Sequence, residues 1–299
     1  MSSLADLPFV IAPPGDPTAV VELAERAALA WHLPTPTLLR TGMNALFTAG
    51  DVVLRVGRPT SDPYDALWLG DRLHEVGIRS PRFVRDDVIV DHDLAVFAIA
   101  LETSVGPIVW REVGEMVARV HTLDPAMIAD HHPLPACRNF PWWDFPALLA
   151  ATADLLDDAS RAGIERAIRR HDRWWERSEQ HVVCHGDVHP GNVVQTNEGP
   201  VLLDWDLLCL GPTAWDHGPM MTMAERWGGA VGEYEEFAAG YGRSMRGDPL
   251  AEALAELRLV AATLMRVRAG RTDPVAALEA ERRLRWWRGE ADAPVWRAQ

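Results

Sequence analysis

The spacing of apolar positions changes several times along the chain. In DPTAVVELAERAALAWHL (16–33) they recur every three or four residues, with Asp16 as N-cap and Pro17 in the first turn, which predicts an amphipathic helix. TLLRTG, NALFTAG and DVVLRVG (within 37–57) are short β-rich runs cut by glycines, which predicts an antiparallel meander. SDPYDALWLGDRLHEVG (61–77) returns to helical spacing between Asp62–Pro63 and Gly77. PRFVRDDVIVDHDLAVFAIAL (81–101) reads as further strands, with turns at Asp86–Asp87 and at DHD. Beyond SVGP (104–107) helical patterns dominate, over 111–123, 145–159, 161–180, 231–245, 248–270 and 273–289. Strands first and helices afterwards predict an α+β chain of two lobes. Residues 1–102 are expected to form a small antiparallel sheet lobe with one leading and one inserted helix, and 103–299 a larger helical lobe.

One stretch breaks this rhythm. HVVCHGDVHPGNVV (181–194) is an apolar strand, a polar loop and a second apolar strand, and PVLLDWD (200–206) is another strand ending on carboxylates. Pairing of the two later strands around QTNEG carries Asn192 and Asp204 to the same end as Asp187. An amide oxygen and a carboxylate are hard ligands suited to Mg²⁺ shared with a polyphosphate, and a nearby free carboxylate suits an attacking hydroxyl. The competing reading is a polar turn, or a zinc site on His185 and His189. The loop has neither C-x-x-C nor H-E-x-x-H to support zinc.

Composition narrows the partners. A net charge of −14 disfavours nucleic acid, which wants clustered basic groups. It suits a cationic small molecule, and solubility explains it equally well. All 29 basic residues are arginine, so any site that wants an ammonium must use a guanidinium. Three cysteines without a C-x-x-C pair, no bilayer-length apolar run and no signal-like N-terminus lead us to expect a reduced cytoplasmic protein away from membranes. Oligomeric state is not legible.

HGDVHPGN followed by LLDWD resembles the aminoglycoside phosphotransferase / choline kinase-type family, which has the protein-kinase-like fold. GPTAWD (211–216) and VGEMVARVHTLDP (113–125) extend the resemblance, which spans about Leu39 to Ala269. It implies that Asp187 is the catalytic aspartate, that Asn192 and Asp204 bind Mg²⁺, and that His185 and Asp216 brace the loop. It also implies ATP or GTP as donor, with FAIALE (97–102) beside the base and RTGMNALFTAG over the phosphates, Gly42 and Asn44 at its bend.

The family's phosphate-contacting lysine is replaced by Arg55, which keeps the charge in a planar fork. Its helical acid aligns with Asp65, which reads equally as an acid on the helix dipole, and Glu75 is the rival. His189 and Asp206 are secondary candidates, for substrate or phosphate contact and for a second metal; loop packing and an ordinary hydrogen-bonded carboxylate are their plain readings.

The acceptor side should involve the 125–145 segment and the C-terminal helices. Trp142, Trp143, Trp215 and Trp227 serve there as ring-stacking platforms or as packing. Asp216, Glu225, Glu233, Glu235 and Glu236 serve as a polycation site or as a solvated face. The reading reached is a small-molecule kinase phosphorylating a hydroxyl of an antibiotic or related natural product. A metabolic kinase of an amino alcohol or sugar, and a nucleotide-binding pseudokinase, are the alternatives.

Overall fold

The structure is a computed structural model and describes residues 13–59, 61–177 and 180–297. Helix α1 (Pro17–Ala30) starts where the Asp16 carboxylate accepts the Thr18 N–H at 2.9 Å, a side-chain N-cap. Its buried face, Val20, Leu23, Ala24, Ala27 and Ala28, covers a sheet of β1 (Thr37–Thr41), β2 (Ala45–Ala49), β3 (Val52–Gly57), β4 (Ile89–Asp91) and β5 (Leu94–Ala100). The order is β1-β2-β3-β5-β4, antiparallel throughout. On β3, Arg55 lies opposite Leu46 on one side and Phe97 on the other.

Between β3 and β4 runs α2 (Pro63–Glu75), capped by Asp62. Its Leu69 and Leu73, with Ile78 after it, join the core of the helical part and not that of the sheet. The inserted helix thus ties the sheet to the second core.

The helical part contains α3 (Trp110–Val120), α4 (Pro125–Ala129), α5 (Phe145–Ala151) and α6 (Asp158–Arg170). After β6 (Val182–Cys184), β7 (Val193–Thr196), β8 (Gly199–Leu202) and β9 (Cys209–Gly211) come α7 (Ala214–Met221), α8 (Met223–Arg226), α9 (Glu233–Tyr241), α10 (Pro249–Ala269) and α11 (Pro274–Trp287). Helices α3 and α9 meet through glycines. A Cβ on Gly114 would lie 2.0 Å from the Phe237 carbonyl oxygen, and one on Gly240 1.8 Å from that of Arg111. No described helix is long and apolar enough to cross a membrane.

Several expected elements are shorter than their patterns. The 81–88 stretch is irregular apart from a bridge between Phe83 and Ile99, because Pro81 and Asp86–Asp87 interrupt any ladder. The helix read over 145–159 stops at Ala151, where the buried Thr152 hydroxyl donates back to the Leu148 carbonyl at 2.8 Å. Asp157 then caps α6, which starts before residue 161 and ends at Arg170; residues 178 and 179 of the pattern lie outside the described residues.

Candidate active site

Strand β6 is wholly buried and delivers the chain to His185 and Gly186. Gly186 has φ +93, and a Cβ there would sit 1.9 Å from the Leu207 carbonyl oxygen, so the bend needs glycine. Asp216, fully buried on α7, accepts the His185 N–H at 2.9 Å, the Gly186 N–H at 2.8 Å and His121 Nε2 at 3.0 Å. Burial opposes its ionisation, yet the bond from His121 and the neighbouring histidines hold its pKa below the ordinary value. His185 reaches the Leu203 carbonyl through Nε2 at 3.0 Å while Nδ1 accepts the Asp187 N–H at 3.2 Å, an arrangement suited to the neutral ring. Burial pushes its pKa down, in keeping with that form.

The loop then closes on itself. Asn192 Nδ2 donates to the Asp187 carbonyl at 3.0 Å and, more weakly, to Asp187 Oδ2 at 3.3 Å. Its backbone carbonyl accepts the Leu203 N–H at 2.8 Å, which ties the loop to the segment bearing Asp204. The β7–β8 hairpin turns at Asn197–Glu198, as the QTNEG spacing predicts. His189 Nδ1 accepts the Gly191 N–H at 3.0 Å, and Nε2 lies 3.4 Å from Asp187 Oδ2.

Asp187 Oδ1 takes an ion pair from Arg258 of α10. Burial alone would raise the Asp187 pKa, but His189 and Arg258 outweigh it and hold the carboxyl well below the usual range. Asp204 behaves oppositely. It stands in the left-handed region at φ +60, and burial, with the charges of Asp206 and Asp187, pushes its pKa up to about 6 against the pull of Arg55. A half-buried carboxylate with too little neutralising charge, with an amide on the adjoining loop whose nitrogen is engaged and whose oxygen accepts no bond among the described residues, is a donor set that fits a hard divalent cation.

The sheet reaches this cluster through β2 and β3. Arg55 forms an ion pair with Asp206 and stands 5.9 Å from the centroid of the Phe97 ring. Asn44 Nδ2 donates to the same Asp206 oxygen at 2.9 Å. The Gly42 N–H donates to the Asn44 carbonyl at 2.9 Å, forming the bend, and the space beside its α-carbon is open. A Cβ on Gly57 would lie 1.9 Å from Asn44 Oδ1, so Gly57 is what lets Asn44 lie against β3.

Some expected contacts are replaced by others. Among the described residues Asp65 makes no ion pair with Arg55; it sits in the first turn of α2, and Arg55 takes its carboxylate from Asp206 instead. Glu75 pairs with Arg72 at 2.9 Å. Trp143 and Trp215 belong to a buried aromatic cluster with Phe140 and Trp174, their own ring centroids 4.7 Å apart, so they pack and do not offer an open face. Trp142 stands edge-on to Phe140, and Trp227 lies against Trp296. Of the acids considered for a polycation, Asp216 is buried under the loop, while Glu235 and Glu236 are paired with Arg246 and Arg111 and Glu225 lies 3.9 Å from Arg246. Arg258, Gly57 and His121 were not singled out from sequence. For Arg258 a signal existed, a lone arginine within the apolar run LAELRLVAATL.

Residues 48–259 match the phosphotransferase enzyme family, APH. The chain belongs to that family. No curated protein sequence matches the chain significantly. Among solved structures, AMP-bound spectinomycin phosphotransferase APH(9)-Ia is 14% identical with a TM-score of 0.66, covering 91% of this chain and 98% of that one. APH(2")-IIia in complex with GDP and kanamycin is 15% identical with a TM-score of 0.62, covering 87% and 94%. A choline/ethanolamine kinase family protein from Mesorhizobium loti is 17% identical with a TM-score of 0.63, covering 93% and 95%. At these identities the likeness establishes the kinase-like fold: a five-stranded antiparallel sheet followed by a helical part. The family makes the chain a phosphotransferase.

Proposed function

We propose that the protein transfers the γ-phosphoryl group of a Mg²⁺-bound ATP or GTP to a hydroxyl of an antibiotic or related natural product. The observation that carries this reading is the convergence of Asp187, Asn192 and Asp204 beside Arg55. In the proposed roles Asn192 Oδ1 and the Asp204 carboxylate hold the metal, whose chemistry when bound is to neutralise charge on the transferring phosphate. Arg55 offers a permanent cation to the phosphates, and Asn44 steadies the strand bend above them.

Asp187 is held strongly acidic, so it is a weak base. That supports a role in orienting the acceptor hydroxyl, which suits a reaction in which positioning and charge neutralisation supply most of the acceleration. The neighbours named for spectinomycin and kanamycin support an antibiotic as acceptor.

The test incubates the protein with Mg²⁺, γ-labelled ATP or GTP and a panel of hydroxylated antibiotics. We expect a labelled acceptor with the wild type and, for Asp187→Ala, a kcat lower by about 10³-fold or more with nucleotide affinity retained. Near-normal kcat in Asp187→Ala would remove the assigned role. Nucleotide binding with neither transfer nor hydrolysis would overturn the function.

A further inference from the structure

Arg258 projects from within the 21-residue helix α10, between buried Leu257 and Leu259, so its backbone is fixed by the core. Its side chain is only 13% exposed, with the guanidinium carbon 4.6 Å from the centroid of the Phe140 ring and 5.8 Å from that of Trp215. Both rings are buried, and they hold the planar group by cation–π contact. One terminal nitrogen meets Asp187 Oδ1. Among the described residues the other carboxylate oxygen, Oδ2, has only the longer contacts to Asn192 Nδ2 at 3.3 Å and His189 Nε2 at 3.4 Å.

From this geometry we infer that Arg258 is a positioning residue for phosphoryl transfer: it fixes the Asp187 carboxylate by Oδ1 so that Oδ2 is presented to the acceptor hydroxyl. The inference rests on the proposed function. A freely rotating aspartate would present either oxygen at varied angles. An arginine already immobilised against two rings can fix the carboxylate with little further loss of rotamer freedom. Arg258 touches neither nucleotide nor acceptor in this role. It acts through Asp187, and its loss should lower turnover without weakening nucleotide binding.

Hydrolysis of Mg·ATP, with water in place of the acceptor, tests this without knowledge of the acceptor. Arg258→Met keeps the contact with Phe140 and removes the ion pair, and Arg258→Ala leaves a space that free guanidinium ion can fill. We expect kcat to fall about 10²-fold, the scale of a misplaced reacting group, with the KM for Mg·ATP unchanged within about twofold. Guanidinium ion at millimolar, sub-denaturing concentration should restore part of the Arg258→Ala rate and none of the rate of an Asp187→Ala, Arg258→Ala double variant. A kcat in Arg258→Met close to wild type overturns the assignment. So does a loss carried by KM, or a folded Arg258→Ala protein that guanidinium does not rescue. If the wild type transfers phosphate to an acceptor of the antibiotic panel but not to water, the same variants are read in that transfer assay; a wild type that does neither removes the phosphotransfer reading itself, and this inference with it. An active wild type with unaffected variants removes this inference alone.

Discussion

Replacing Asp204 by asparagine should stabilise the metal-free protein while disabling metal-dependent nucleotide binding. The carboxyl's pKa is raised from 3.8 to about 6 because burial and the charges of Asp206 and Asp187 oppose ionisation. For a carboxyl shifted upward the sign runs against the usual case. Between the unfolded and folded values the folded chain holds more protons, so stability falls as pH rises from 3.8 to about 6 and is flat above. The gap of about two pH units corresponds to about 3 kcal/mol at neutral pH, and partial exposure to water trims it to about 1–3 kcal/mol. Asparagine carries no charge and also tolerates the left-handed backbone at φ +60.

For a chain of this size the change amounts to a Tm higher by about 2–6 °C. Scanning calorimetry in EDTA at pH 7.5 and at pH 5 measures it, and about half of the gain should survive at the lower pH. Added Mg·nucleotide should raise the Tm of the wild type and leave that of Asp204→Asn unchanged. An Asp204→Asn protein no more stable than wild type in EDTA, or a gain independent of pH, would refute the electrostatic argument.

Two further substitutions probe the walls of the site. Arg55→Ala should raise the nucleotide KM by about 10–100-fold, the worth of a charge-assisted contact; an unchanged KM removes Arg55 from the phosphates. Asp206→Asn should instead lower it, because Arg55 keeps its charge and no longer has to leave a carboxylate to meet the phosphates, and titration calorimetry with Mg·ATP separates the two. Asp216→Asn removes the charge from a fully buried carboxylate that accepts from two loop amides and His121, and should cost about 3–5 kcal/mol. Denaturant unfolding reads that loss, and a cost below about 1 kcal/mol would show that the loop is held by other contacts.

The sequence was most informative where chemistry and backbone geometry coincide. Helix starts at Asp16 and Asp62 are local, because a short side chain finds an amide two residues on. The HGDVHPGN loop was legible because strand, bend and hairpin lie within about twenty residues. Pairings that join distant segments were not. Arg55 and Asp206 are 151 residues apart, and no spacing rule distinguishes Asp206 from Asp65 as its partner. Arg258 lies 71 residues from Asp187, on a helix whose pattern reads as core. The tryptophans were ambiguous for a related reason. A ring that packs and a ring that stacks on a ligand look the same in sequence, and only the burial of Trp215 decides between them.

The absence of lysine shapes the whole cleft. A guanidinium is satisfied by planar partners, so Arg55 takes a carboxylate from across the cleft and Arg258 takes a carboxylate and two rings. Arg55 and Asp206 therefore neutralise one another between the sheet and the helical part, and Arg258 and Asp187 do so within the helical part, while Asp204 is left short of positive charge. On the proposed function, entry of a metal-bound triphosphate asks these groups to exchange partners and not to acquire new charge. Arg55 turns from Asp206 to the phosphates, and the under-neutralised Asp204 gains its cation. Arg55 is compensated before and after, which keeps the cost of the exchange below that of leaving its guanidinium unpaired in a low dielectric. Asp187 stands outside this exchange, because its partner Arg258 is held on α10 against Phe140 and Trp215, which belong to the helical core.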